Sequence, residues 1–280
     1  QLTVTGDVSI GGSGVLEHAA NTDTQVHTLV LQAVNLTVDA GGQINVDGKG
    51  YTDEHGPGSP GGLWGGASHG GEGGNDDYRQ PVYGSITEPN TIGSGGGDDT
   101  AGYGGGAVKL VISGTTTING NITANATIPG KSYRGGGSGG SIWLDTDTLA
   151  GGGVMEATGS AADYYGGGGG RIAVYYTTDS STVTYNAQGG LPESASYENR
   201  SGGAGTIFIK EDAQANGDLI LDNKDIYSDW HEDLGTTPIL GTHTFDSITV
   251  QNHAFLETDP TTDVSYSTLI WNDNGHFVDR

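Results

Sequence analysis

Serine, histidine and carboxylate side chains are the raw material of hydrolytic chemistry, and this chain sets them among glycines. Gly66-Ala67-Ser68-His69-Gly70 and Gly136-Gly137-Ser138-Gly139-Gly140 both satisfy G-x-S-x-G. In a hydrolase that pattern holds a strained serine between a strand and a helix. No helical pattern follows either segment, and in a chain with 53 glycines among 280 residues the spacing arises from composition. The G-x-G-x-x-G matches fail likewise, for want of a following helix and a basic partner for phosphate. No catalytic residue is nominated on these grounds.

Carboxylates are more informative as cation ligands, because Ca²⁺ takes six to eight oxygens and clustered Asp, Glu and Asn supply them. The densest cluster is Asp222, Asp225, Asp229, Glu232 and Asp233, with Asn223 beside it. Asn75, Asp76 and Asp77 with Asp98 and Asp99 form a second, and Asn272, Asp273 and Asn274 a third. None has EF-hand spacing, so the segment 222–233 reads either as solvated acidic turns or as an irregular Ca²⁺ site. His55 and His69 share a long arm with Asp53 and Glu54, a weaker basis for a transition metal. Sequons at Asn35, Asn121, Asn125 and Asn199 offer attachment points for sugar.

The elements that must position these groups follow from a repeat. Gly106-Ala107-Val108-Lys109-Leu110, Gly140-Ser141-Ile142-Trp143-Leu144, Gly170-Arg171-Ile172-Ala173-Val174 and Gly205-Thr206-Ile207-Phe208-Ile209 align with Val108, Ile142, Ile172 and Ile207 at offsets of 34, 30 and 35. Each strand is followed by a turn, a second short alternating run and a glycine-rich arm. A two-stranded unit of this kind cannot bury its apolar face alone, so neighbouring units must stack. The expected fold is all-β, a parallel β-solenoid with glycine-rich arms projecting from one side. Alternation points Val108, Leu110 and Ile112 into the stack and Lys109 to solvent. The arms are read as ordered, polyproline-II-like or closely approaching segments clamped by interleaved aromatics such as Trp64, Tyr83 and Tyr165. Residues 1–33 form N-terminal strands, 34–222 the repeats and 223–280 an acidic end region.

Against this framework the charge excludes several functions. With 34 acidic and 10 basic side chains the formal charge is −24, which opposes nucleic acid and anionic membrane surfaces as partners. Absence of cysteine removes disulfides, zinc–thiolate sites and thiol nucleophiles. No apolar run approaches the ~20 residues of a bilayer span. The first residues, Gln1-Leu2-Thr3-Val4, lack a signal-peptide pattern, which suits a processed chain or a piece of a longer one.

Two resemblances follow from the quoted residues. Asn21-Thr22-Asp23, the paired aspartates 76–77 or 98–99, Ser68-His69-Gly70 and Arg171-Ile172-Ala173 look like the short motifs of pectin-cleaving β-helix enzymes, but the histidine precedes the paired aspartates and the basic motif lacks its lysine. The stretches GGAVKLVISGTTTINGNITANA and GGGGGRIAVYYTTDSSTVTYNAQGG resemble the glycine-rich β-helical repeats of large predicted extracellular proteins of environmental bacteria. That resemblance implies a surface location and a structural or adhesive role, and supplies no catalytic residue. The expected function is therefore a non-enzymatic subunit of an extracellular fibre, sheath or surface layer, binding copies of itself. Open strand edges at Leu2, Val4, Val8 and Ile10 and at Leu269 and Trp271 would carry the contact. The alternative is a glycan-binding adhesin or polysaccharide hydrolase using Trp64, Trp143, Trp230 and Tyr175 as sugar platforms.

Overall fold

A computed structural model describes the chain except residues 75–76, 99, 130–134, 194–199, 227–233, 259–262, 273 and 280. Among the described residues there are strands and no α-helix. The first half contributes β1 (Leu2–Thr3), β2 (Val8–Ile10), β3 (Val15–Leu16), β4 (Leu29–Ala33), β5 (Leu36–Val38) and β6 (Gln43–Asn45). It continues with β7 (Ala107–Ile118), β8 (Asn121–Thr123), β9 (Ser141–Gly151), β10 (Val154–Glu156), β11 (Arg171–Asp179), β12 (Thr184–Asn186) and β13 (Thr206–Glu211). The remainder is β14 (Asp218–Asp222), β15 (Thr237–Ile239), β16 (His243–Gln251), β17 (Phe255–Thr258), β18 (Val264–Trp271) and β19 (His276–Asp279).

An 11-stranded main sheet runs β1-β4-β7-β9-β11-β13-β14-β16-β18, with β2 and β5 attached beside β7. A five-stranded sheet, β12-β10-β8-β6-β3, and a three-stranded sheet, β15-β17-β19, accompany it. Val108, Ile142, Ile172 and Ile207 stand in register and are buried, as the repeat alignment predicts. They share a core with Leu110, Leu144 and Val174 and with Ile44, Ile122 and Met155 of the five-stranded sheet.

The expectation of a parallel β-solenoid is overturned by the main sheet, which is mixed. β13 and β14 pair antiparallel, so β14, β16 and β18 run opposite to every earlier strand of that sheet. The cause is local. Asp212–Gly217 is too short for a parallel crossover, and Asn216-Gly217, with Gly217 at φ +84°, closes a hairpin. The hairpin also moves the core. Ile220 faces Ile207 and keeps to the first core, whereas Leu219 and Leu221 point the other way. They join Ile248 and Val250, and Ile239 and Leu256 of the three-stranded sheet, in a second core. The apolar interior thus passes from one face of the main sheet to the other.

The glycine arms do not project; they are buried and bonded to one another. Gly166 and Gly169 donate to Arg200 and Gly203, Gly167 and Gly170 donate to Ser160 and Ala157, and Gly168 donates to Ala67, at 2.7–3.1 Å. Partners recurring every third residue are the mark of a polyproline-II-like chain, which has three residues per turn and no internal hydrogen bonds. Close approach demands glycine here: a Cβ on Gly70 or Gly166 would lie within 3.0 Å of the carbonyl oxygen of Gly170 or Gly190.

Candidate functional site

The residues most suggestive of catalysis converge in the interior. Arg171, the first residue of β11, reaches from the main sheet into the long arm. Its Nε donates to Tyr83 O at 2.9 Å, Nη2 to His69 O at 3.3 Å and Nη1 to Thr206 Oγ1 at 3.1 Å. His69 Nδ1 lies 2.6 Å from Gly139 O, which can only accept, so Nδ1 carries the proton and Nε2 accepts from Thr91 Oγ1 at 2.8 Å. Burial, reinforced by the Arg171 charge, lowers the His69 pKa to about 3. Burial also lowers Arg171 to about 10, which leaves it charged at neutral pH. Tyr83 lies against the imidazole at 4.6 Å between ring centroids.

Both G-x-S-x-G serines are enclosed. Ser68 Oγ accepts from Gly73 N, and Ser138 Oγ accepts from Ser94 N. The Ser68-His69 and Arg171 motifs are therefore brought together, but as a strut fastening the long arm across the sheet, with no access for substrate.

A second buried polar group joins the two halves. Thr236 Oγ1 lies 2.8 Å from Glu72 Oε2 and 2.5 Å from Glu257 Oε2, and Arg79 Nη1 is 3.2 Å from Glu72 Oε2. A hydroxyl has one proton and can donate to only one of the two carboxyl groups at a time; burial raises the Glu72 pKa against the pull of Arg79.

Of the expected Ca²⁺ ligands, Asp222 and Asp225 are described, whereas Asp229, Glu232 and Asp233 lie outside the described residues. Asp222 Oδ1 accepts from Lys224 N and Asn252 Nδ2, and Oδ2 from Lys224 Nζ and Gln251 Nε2, so its oxygens are occupied by a turn. Asp225 Oδ1 contacts His253 Nδ1 at 2.8 Å. Among the described residues no three His, Asp or Glu side chains gather as a metal-holding group. His55 turns to Asp23 at 3.6 Å, apart from His69.

Asn121 is exposed on β8, while Asn35 and Asn125 are half-buried. Asn125 Oδ1 accepts from Thr158, and Asn35 bridges Asp7 and Thr115. Asn199 lies outside the described residues.

The aromatics named as sugar platforms do not form one row. Trp64 is exposed and stacks on Tyr164, Tyr175 Oη donates to Thr87 O, Trp143 lies beneath Lys109 on the main sheet, and Trp230 is outside the described residues.

The expected assembly residues divide as well. Leu2, Leu269 and Trp271 are exposed and Val4 and Val8 half-buried. Ile10 is buried in the first core, which corrects its place among side chains open to contact; only its backbone lies at an edge. Between β18 and β19, each paired on one side only among the described residues, opens a cleft of about 700 Å³ lined by Ile248, Leu256, Val264, Tyr266, Leu269 and Phe277. Sequence reasoning found the β18 edge but missed this cleft, because Phe277 arrives from a separate sheet. Comparison with family models, curated proteins and solved structures finds no match to the chain.

Proposed function

We propose that the chain is a structural subunit of an extracellular fibre, sheath or surface layer whose copies join by pairing sheet edges. The observation that supports this best is the cleft between β18 and β19, where two strands that, among the described residues, have one unpaired side each flank exposed Tyr266, Leu269, Trp271 and Phe277. Unpaired edges beside an apolar face invite strand addition, and a patch of this kind is usually covered in the working protein. The absence of cysteine and the resemblance to extracellular repeat regions support the location. Catalysis is not part of this reading, since the Ser68, His69 and Arg171 groups are enclosed. Bridging by Ca²⁺ at the acidic segment belongs to the reading as an accessory and would rest on carboxylates other than Asp222. Electron microscopy and sedimentation of the purified chain test the proposal. Ordered polymers, lost in Leu269→Lys and Trp271→Lys, would support it; a monomer at every salt and calcium concentration would reject it.

A further inference from the structure

On the face of the main sheet that carries the second core, beside the N-terminal strands, lies a groove of about 310 Å³. Its floor is Lys109 of β7 and Trp143 of β9, cross-strand neighbours in register. Gln25, Thr28, Asn90 and Thr91 also line it. The walls are fixed: Gln25 Nε2 donates to Asn90 O at 2.7 Å, Ile92 N donates to Gln25 Oε1 at 3.3 Å, and Ser141 Oγ donates to Thr91 O at 2.6 Å.

Two donors in this groove have no acceptor. The Trp143 Nε1–H is buried and makes no hydrogen bond, which is uncommon enough to require a cause. Lys109 Nζ sits 3.3 Å over the Trp143 ring and, among the described residues, makes neither an ion pair nor a hydrogen bond. Lys49, Arg79 and Lys224 each meet a carboxylate. Among the described residues Lys210 and Arg171 do not, but they donate to Ala215 O and to Tyr83 O, His69 O and Thr206 Oγ1, so Lys109 differs from them in having no acceptor.

We propose that this groove binds an acidic saccharide, with its carboxylate on Lys109 and its hydroxyls on Thr28, Asn90 and Thr91. The Lys109 ammonium, which has no acceptor among the described residues, would supply a charge-assisted contact to the carboxylate. A saccharide fits better than an acidic peptide. β7 and β9 beneath the groove are paired on both edges, so a peptide backbone could reach a ladder only at the β4 margin, whereas the hydroxyl of Thr28 and the side-chain amide of Asn90 match sugar hydroxyls. The inference does not rest on the assembly reading, since its ligand groups are groove side chains such as Lys109, Thr28 and Asn90 and not the β18–β19 cleft, although β4, which lines the groove, is the neighbour of β1.

The test is titration of the soluble chain with glucuronic acid, glucose, acetate and a glutamate-containing peptide, followed by tryptophan fluorescence and by calorimetry. Saturable binding of glucuronic acid with a change in tryptophan emission is expected, with glucose and acetate at least tenfold weaker. Lys109→Gln should weaken it roughly 10- to 100-fold, the loss of a charge-assisted contact, with an unchanged melting temperature. Trp143→Phe should abolish the optical signal. Equal binding of glucose, acetate or the peptide would overturn the proposal, as would unaltered affinity in folded Lys109→Gln or no binding of any probe.

Discussion

At the scale of single residues, the chemistry the sequence offers is spent on packing, and pH exposes this. His69 is held neutral, donating through Nδ1 and accepting through Nε2. Its folded pKa of about 3 is below the ordinary value of 6.5, so between those limits the unfolded chain binds a proton that the folded chain refuses. Stability from this residue is therefore complete above pH 6.5 and is lost as pH falls. Thermal or urea unfolding of the native chain and His69→Gln should show the native advantage narrowing below about pH 6, by up to about 1.4 kcal/mol per pH unit. A gap that stays constant down to pH 4 would mean that the imidazole takes up protons in place. Little of this was legible beforehand. The sequence offers Ser68-His69 and Arg171 as motifs, but their meeting depends on the long arm crossing the sheet, and its buried apolar residues Val82, Ile86 and Ile92 follow no period that would have announced it.

At the scale of elements, two kinds of contact hold the molecule together, and each makes its own prediction. In the isoleucine ladder, Ile172 is fully buried between Ile142 and Ile207. Ile172→Ala should cost about 2–5 kcal/mol as a core truncation, and Ile172→Asp should abolish the cooperative transition, because its side chain lies in the apolar core while the neighbouring Arg171 is committed to Tyr83, His69 and Thr206. An unchanged midpoint in chemical denaturation would refute the ladder. In the glycine arms the interaction is backbone to backbone, so adding atoms does the harm. Gly166→Ala should lower the transition by at least about 1–3 kcal/mol through overpacking, whereas Gly11→Ala, with open space around its Cβ, should stay within about 0.5 kcal/mol. Equal effects would show that the arms are loosely held. The ladder was readable because alternation and a recurring 30- to 35-residue offset constrain register. The hairpin at 212–217 carried its own signals, Asn216-Gly217 and a connection too short for a parallel return, yet a repeat alignment that treats every turn as equivalent passes over them.

At the scale of the whole molecule, direction and charge together constrain how copies could join. The second core lies on one face of the main sheet and the first on the other, and strand direction is reversed between them. If β1 of a second copy is to continue β18 while its own core covers the apolar cleft, that copy must be turned about half a revolution around the stacking axis. β1 then runs parallel to β18. A joint between two like ends would instead pair β18 with β18 antiparallel and close a dimer. Because the chain has no cysteine, single substitutions separate the two cases. Leu269→Cys or Trp271→Cys should not crosslink with itself in the head-to-tail fibre, but should do so once Leu2→Cys is present in the same chain. Self-crosslinking of Leu269→Cys or Trp271→Cys alone, with particles no larger than dimers, would reject the fibre. Either joint brings together copies of charge −24, so assembly should strengthen as monovalent salt rises toward 0.15 M, where charges are screened beyond about 8 Å. Calcium should outperform an equal ionic strength of sodium chloride only if carboxylates are bridged across the joint. Polymers of unaltered length in excess chelator would remove calcium from the account and leave strand pairing alone.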